Sequence, residues 1–131
     1  MSRFPFVSAA VVLAITVTAE ARLPARAAET PPSMDAAFAN TIVSTYPDGR
    51  TAYLWLARDG SYKAMGRRRD RSDGHWTLKA GKLCLKQSHP MAIPFTFCTP
   101  VRSGGVGTTW PAKAVTGEKI QVKIVAGRSG A

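Results

Sequence analysis

Acidic residues are scarce in this chain. Its 131 residues include 8 aspartates and glutamates against 18 lysines and arginines, a formal net charge of +10 at pH 7. Three of the acids, Asp48, Asp59 and Asp73, directly precede a glycine, where an aspartate side chain bonds the local backbone of a turn. The other acids show no spacing typical of a paired acid and base, so a carboxylate mechanism is not expected.

Histidine and cysteine are equally sparse. His75, His89, Cys84 and Cys98 are too few and too scattered to predict a metal site. The sequence has no Gly-x-Ser-x-Gly elbow and no phosphate-binding loop. We therefore expect no metal, no cofactor and no catalytic residue, in a protein that is not an enzyme. An enzyme that uses one of the two histidines is the least favoured alternative.

The chain lacks an apolar run of the ~20 residues that a membrane-spanning helix needs. Its uncharged run over residues 4–19 follows Arg3 and precedes small residues at cleavage spacing, a pattern typical of an export signal. We predict a signal peptide over residues 1–27, with an uncleaved anchor as the alternative. Residues 28–39 predict a linker and a short helical turn, and residues 40–131 predict a single domain. The mature protein should be periplasmic or secreted, and not an integral membrane protein.

The two cysteines are predicted to form a disulfide, as is usual in an exported chain, with a metal-binding pair or a catalytic thiol as the alternatives. Cys84 and Cys98 are fourteen positions apart. In the chain-entropy model, closing a loop of this size stabilises the folded state by roughly 3 kcal/mol. Leu83 and Leu85 share one face of an alternating run, which leaves Cys84 on the other face. Cys98 likewise lies opposite Phe97, so the bridge should join neighbouring strands.

From residue 40 onward, short alternating runs separated by glycine turns predict β-strands. The pairs Asp48-Gly49, Asp59-Gly60 and Asp73-Gly74 predict hairpin turns, because glycine accepts a positive φ. We expect an all-β fold, an antiparallel meander that closes into a barrel, with a β-sandwich as the alternative. The predicted strands are Thr41–Tyr46, Thr51–Ala57, Ser61–Gly66, His75–Lys79, Lys82–Lys86, Phe95–Val101, Gly107–Trp110 and Lys119–Val125.

Four short segments of the chain occur in a characteristic order: Asp59-Gly60-Ser61-Tyr62, Gly74-His75-Trp76, Leu83-Cys84-Leu85 and Phe97-Cys98. The resemblance that they support extends from about residue 40 to the end of the chain. In this order and spacing they resemble small exported bacterial proteins with a lipocalin-like β-barrel. The resemblance implies a barrel that binds a ligand or a partner, and no catalytic residue. It departs from true lipocalins, whose Gly-x-Trp signature lies on the first strand. The combination is also similar to secreted bacterial metalloprotease inhibitors.

One segment is strongly basic, with four arginines in five positions: Arg67, Arg68, Arg69 and Arg71. They occupy the predicted tip of a hairpin that ends at Gly74. Arginine binds carboxylate and phosphate in two-point geometry, so we predict that these residues contact an acidic envelope partner, namely a protein, a glycan or a lipid phosphate. A solvated turn partly neutralised by Asp70 and Asp73 is the alternative. Export and the lack of a stacking platform argue against nucleic acid.

Large aromatic residues suggest a second function, that of a carrier with a ligand cavity inside the barrel. The candidates for lining such a cavity are Trp55, Trp76, Trp110 and Tyr62. A carrier needs a cavity of ~300–1,000 Å³, whereas a small barrel is commonly filled by its own side chains. The sequence therefore favours a monomeric, non-catalytic binding module or inhibitor with an acidic partner. The alternative is a carrier of a small hydrophobic ligand.

Overall fold

The computed structural model describes residues 34–128 and 130, so the predicted signal peptide and residues 28–33 of the linker lie outside the described part. Within that part, one helical turn, α1 (Asp35–Phe38), precedes eight β-strands. The strands are β1 (Thr41–Thr45), β2 (Thr51–Leu56), β3 (Ser61–Met65), β4 (Arg71–Lys79), β5 (Lys82–His89), β6 (Phe97–Pro100), β7 (Thr109–Lys113) and β8 (Lys119–Val125).

The strands form one antiparallel sheet in the order β6-β5-β4-β3-β2-β1-β8-β7. Because β1 pairs with β8, the two ends of the described chain meet and the sheet curls into a nearly closed barrel. The remaining opening, which we call the seam, lies between the unpaired edges of β6 and β7. The prediction of an all-β fold, and of a barrel over a sandwich, is confirmed.

The third Asp-Gly pair does not form a hairpin turn. β4 begins at Arg71, so Asp73 and Gly74 lie inside this strand, where its register against β5 shifts. The turn between β3 and β4 spans residues 66–70 instead, with Arg69 at a φ of 68°. The predicted turn at Asp73-Gly74 is therefore wrong, whereas Arg67, Arg68 and Arg69 do lie in the turn of this hairpin. The local pattern misled because glycine also serves where two backbones approach closely, and Gly74 lies against the backbone of Lys86 and Gln87 on β5.

One end of the barrel is closed by α1, in which Ala37 is buried, and by Met34, which directly precedes α1 and is also buried. The rings of Phe38 and Trp76 pack with centroids 5.5 Å apart at this end. We call it the closed end, and the opposite end the open end. The open end carries the turns at residues 46–50, 66–70 and 114–118 and the loop at residues 90–96.

The outer face of β2 is covered as well as its inner face. Trp55 lies on the outer face and is only 2% exposed. Its indole N–H donates to the Thr41 hydroxyl at 3.1 Å, which in turn donates to the carbonyl of Gly127 at 2.7 Å. The Arg128 guanidinium donates to the carbonyl of Leu56 at 2.9 Å. The segment after β8 therefore packs on β2, which explains why this strand carries bulky residues on both faces.

The predicted disulfide is present. Cys84 and Cys98 are directly opposite in the pairing of β5 with β6, with their Cα atoms 4.0 Å apart. β6 is an edge strand that pairs on one side only, so the bridge ties a barrel edge covalently to its neighbour. A disulfide is compatible with an exported protein. None of the helices in the described residues is long and apolar enough to cross a membrane.

Candidate ligand cavity and its rim

A cavity of about 340 Å³ lies inside the barrel. It falls in the range of ~300–1,000 Å³ that small-molecule pockets occupy. A water molecule takes up ~30 Å³ in the liquid. If each non-hydrogen atom of a ligand needs about the same volume, the cavity holds a ligand of roughly eleven such atoms. The larger side chains of its wall are mostly apolar: Ile42, Leu54, Leu85, Phe97, Trp110 and Val122.

Small inward-facing residues create this space. Ser44 pairs with Ala52 across β1 and β2, and Ala64 pairs with Ser72 across β3 and β4. All four line the cavity, as does Ala112 on β7. Side chains normally fill the interior of a small barrel, and here five inward positions are too small to do so. Sequence reasoning missed these residues because small side chains do not stand out, although the alternation of the strands placed them inward.

Apolar side chains are exposed on the rim of the cavity at the open end, beside the charged residues Asp70, Arg71 and Lys113, which also line the cavity. Met91 and Phe95 in the loop after β5 are 69% and 54% exposed, and Val115 in the turn after β7 is 64% exposed. Pro90 and Val115 also line the cavity, so this rim adjoins the interior. Clustered exposed apolar residues beside a cavity are typical of a surface that receives an apolar ligand.

The aromatic residues predicted to line a cavity lie in four different places. Trp110 is in the cavity wall. Tyr62 is buried between two smaller spaces of about 180 and 230 Å³. Trp76 lies at the closed end, where its indole N–H donates to the carbonyl of Ala57 at 2.8 Å. Trp55 lies on the outer face of the barrel.

Arg67 joins three turns of the open end. Its guanidinium donates to both carboxylate oxygens of Glu118, at 3.0 and 2.7 Å. It also lies 3.6 Å from the carboxylate of Asp48 and 4.3 Å from the ring centroid of Tyr46. The hydrogen bonds from Arg67 hold the pKa of Glu118 below its usual value, and burial raises the pKa of Tyr46. The two-point geometry of Arg67 is therefore used within the fold.

The other predicted anion-binding arginines have separate surroundings. Arg69 lies 5.6 Å from the ring centroid of Tyr53, and Arg71 donates to the carbonyl of Gly130 at 3.2 Å. Arg68 is exposed and forms no hydrogen bond or ion pair with the described residues. The four arginines are thus neighbours in sequence without forming one shared site.

The histidines belong to no metal-binding cluster within the described residues. His89 Nδ1 lies 2.7 Å from a carboxylate oxygen of Asp73 on an exposed surface. His75 is exposed on the outer face of β4.

The seam between β6 and β7 forms a groove of about 800 Å³ on the barrel wall, which we call the seam groove. Its lining includes Thr99 on β6 and Lys113 on β7, and both of these residues also line the interior cavity. The Thr99 hydroxyl oxygen is buried and has no hydrogen-bond partner among the described residues. Sequence reasoning did not identify either residue.

No family model, curated protein or solved structure matches the chain. The fold and the cavity define a class of molecule, a small antiparallel β-barrel with an internal cavity that opens at one end.

The ion pair of Arg67 predicts a pH-dependent stability. Because the folded state lowers the pKa of Glu118, the pair stabilises above the usual glutamate value of 4.5, and this contribution is lost as the pH falls through the lowered value. We expect Glu118→Gln to be less stable than the wild type at pH 7 and to lose less stability on acidification. Urea unfolding between pH 7 and pH 3 measures both effects.

A matched control is Asp70→Asn, because this carboxylate lies in a neighbouring turn and forms no ion pair with the described residues. It should keep the wild-type dependence on pH. Identical acid profiles for the wild type and Glu118→Gln would contradict the role assigned to the pair.

Proposed function

We propose that the protein is a non-catalytic carrier that binds a small, largely apolar molecule inside the barrel. The observation that carries this proposal is the cavity of about 340 Å³, whose walls are mostly apolar. Removing a ligand's apolar surface from water there contributes ~25 cal/mol per Å². The exposed apolar side chains of Met91, Phe95 and Val115 support entry at the open end.

We further propose that the carrier acts outside the cytoplasm, in the periplasm or as a secreted protein. The signal peptide predicted for residues 1–27 and the disulfide between Cys84 and Cys98 support export. The resemblance to small exported lipocalin-like proteins agrees with a ligand-binding barrel.

Calorimetric titration with 1-decanol tests the carrier function, because its eleven non-hydrogen atoms match the size of the cavity. We expect a dissociation constant on the order of 10–100 μM for the wild type. Ala64→Leu should fill the cavity and weaken binding about tenfold or more, and Ser44→Leu should do the same from β1. In both variants the larger side chain occupies cavity volume that the ligand needs, so both should weaken decanol binding.

The matched control is Ala126→Leu, which adds the same atoms at an exposed position after β8. It should bind decanol like the wild type. Thermal unfolding of each variant confirms that it is folded before binding is compared. Failure of the wild type to bind decanol, or unchanged binding by both cavity-filling variants, would overturn the proposal.

A second candidate function is contact with an acidic envelope partner, the role predicted for the arginine segment. All seven lysines are exposed, and none forms an ion pair with the described residues, so the barrel wall carries unneutralised positive charge. Because Arg67 is bound to Glu118, Arg68 and Arg69 are the residues to replace. An Arg68→Ala, Arg69→Ala double variant should lose binding to vesicles that contain an anionic phospholipid. If Lys79→Gln lost vesicle binding to the same extent, the two arginines would not be the specific contact with the acidic partner.

A further inference from the structure

We propose that the ligand is an amphiphile with an anionic head group, held at the seam by Thr99 and Lys113 while its apolar tail fills the barrel. This inference rests on the proposed carrier function and adds the chemistry of the ligand's polar end.

The interior cavity and the seam groove are bounded by the same side chains. Six residues line both spaces: Tyr46, Phe97, Thr99, Ala112, Lys113 and Ile120. β6 and β7 are the two ends of the sheet order, so no ladder of strand hydrogen bonds closes the barrel between them. A ligand longer than the interior can therefore extend past these side chains into the groove.

Prolines help to keep the seam open. Pro100 is the last residue of β6. Pro111 lies in the middle of β7, directly opposite Gln121 of β8. Proline has no backbone N–H to offer to a facing strand and is confined in sheets to edge strands and strand ends. With a proline on each edge, β6 and β7 are poorly suited to pair with each other, and the groove is part of the native barrel.

Thr99 supplies a hydrogen-bonding group at the border between the two spaces. Its hydroxyl oxygen is buried without a partner among the described residues. Buried side-chain polar atoms nearly always have a partner, and leaving one unpaired is costly. A ligand oxygen at the seam would supply the missing bond, which a purely apolar ligand could not do.

Lys113 supplies positive charge at the same border. It lies directly opposite Lys119 in the pairing of β7 with β8, and both lysines are exposed and line the seam groove. Like charges in directly opposite positions repel, so an anion between them is favoured. The acid that precedes Lys119, Glu118, binds Arg67 through both of its oxygens. The two ammonium groups therefore face the groove without a neutralising carboxylate among the described residues.

The experiment compares decanoate with 1-decanol, which share a chain length and differ in charge. Calorimetry at pH 7.5 and low salt should show that the wild type binds decanoate roughly fivefold more tightly than decanol, as a partly exposed ion pair allows. Lys113→Gln should remove this preference, so that binding of decanoate weakens by a larger factor than binding of decanol. Thr99→Val, which has the same shape without the hydroxyl, should weaken binding of both probes by roughly threefold to tenfold.

The matched control is Lys79→Gln. Lys79 lies opposite Lys82 across β4 and β5, so it too belongs to a cross-strand lysine pair beside a hairpin turn, at the closed end of the barrel. This variant removes the same charge far from the groove and should bind both probes like the wild type.

The outcomes separate the two proposals. If neither probe binds the wild type, the carrier function fails and the head-group site fails with it. If both probes bind equally and Lys113→Gln has no effect, ligand binding stands and the head-group site is overturned. If Lys79→Gln weakens decanoate binding as much as Lys113→Gln does, the preference comes from the overall positive charge of the protein, and the head-group site is overturned. Unchanged binding by Thr99→Val would overturn the role of its hydroxyl.

Discussion

Replacing Gly74 with alanine is expected to destabilise the protein strongly. A Cβ atom at this position would lie 2.0 Å from the carbonyl oxygen of Lys86 and 2.9 Å from the Cα atom of Gln87. Both are backbone atoms of β5, so no side-chain rotation can relieve the overlap. β4 and β5 would have to separate at the bulge, next to Ser72 and Gln87 in the cavity wall.

The expected loss is about 3 kcal/mol or more, since overpacking that displaces backbone lies at the upper end of measured effects. This is a large share of the ~5–15 kcal/mol that stabilises a typical domain. Urea unfolding monitored by circular dichroism measures it. Gly105→Ala is the matched control, because a Cβ atom there meets nothing within 4 Å. It should change stability by less than ~0.5 kcal/mol. Wild-type stability in Gly74→Ala would contradict the close approach of the two strands.

Reducing the disulfide between Cys84 and Cys98 is expected to cost roughly 3 kcal/mol of stability, the chain-entropy value for a loop of this size. In a domain of about 100 residues, this corresponds to a fall in Tm of more than about 10 °C. The loss should concentrate at β6, which pairs only with β5 and carries Phe97 and Thr99 into the cavity wall. Reduction should therefore weaken decanol binding as well as stability.

Thermal unfolding with and without a thiol reductant measures the effect of the disulfide. A Cys84→Ala, Cys98→Ala double variant should match the reduced wild type and should not respond to the reductant, which separates the bridge from other effects of the reagent. If the reductant left the wild-type Tm unchanged, the stabilising role of the bridge would be refuted.

Most of the strand pattern could be predicted from local sequence. Asp48-Gly49 and Asp59-Gly60 form the expected turns, with both glycines at positive φ. The alternation around Cys84 and Cys98 placed both cysteines away from the apolar face and in facing strands. These features depend on side-chain period and turn conformation, which neighbouring residues determine.

The candidate site could be predicted only in outline. The notion of an interior cavity followed from the barrel, yet the aromatic residues chosen to line it lie mostly elsewhere, because bulk alone does not tell which face or end of the barrel a residue occupies. Arg67 was expected to face an external anion, and it binds Glu118, which is 51 positions away in the chain. No local pattern could indicate that partner.

The sequence by itself determined an all-β chain with excess positive charge, alternating strands and one cysteine pair, because these properties follow from composition and short-range periodicity. The tertiary structure decided the rest. It placed Gly74 against the backbone of β5 where the register shifts, paired Arg67 with Glu118, and brought the small residues of β1, β2, β3, β4 and β7 around one space. Such features depend on the register between strands and on the pairing of β1 with β8, which form only when distant parts of the chain meet.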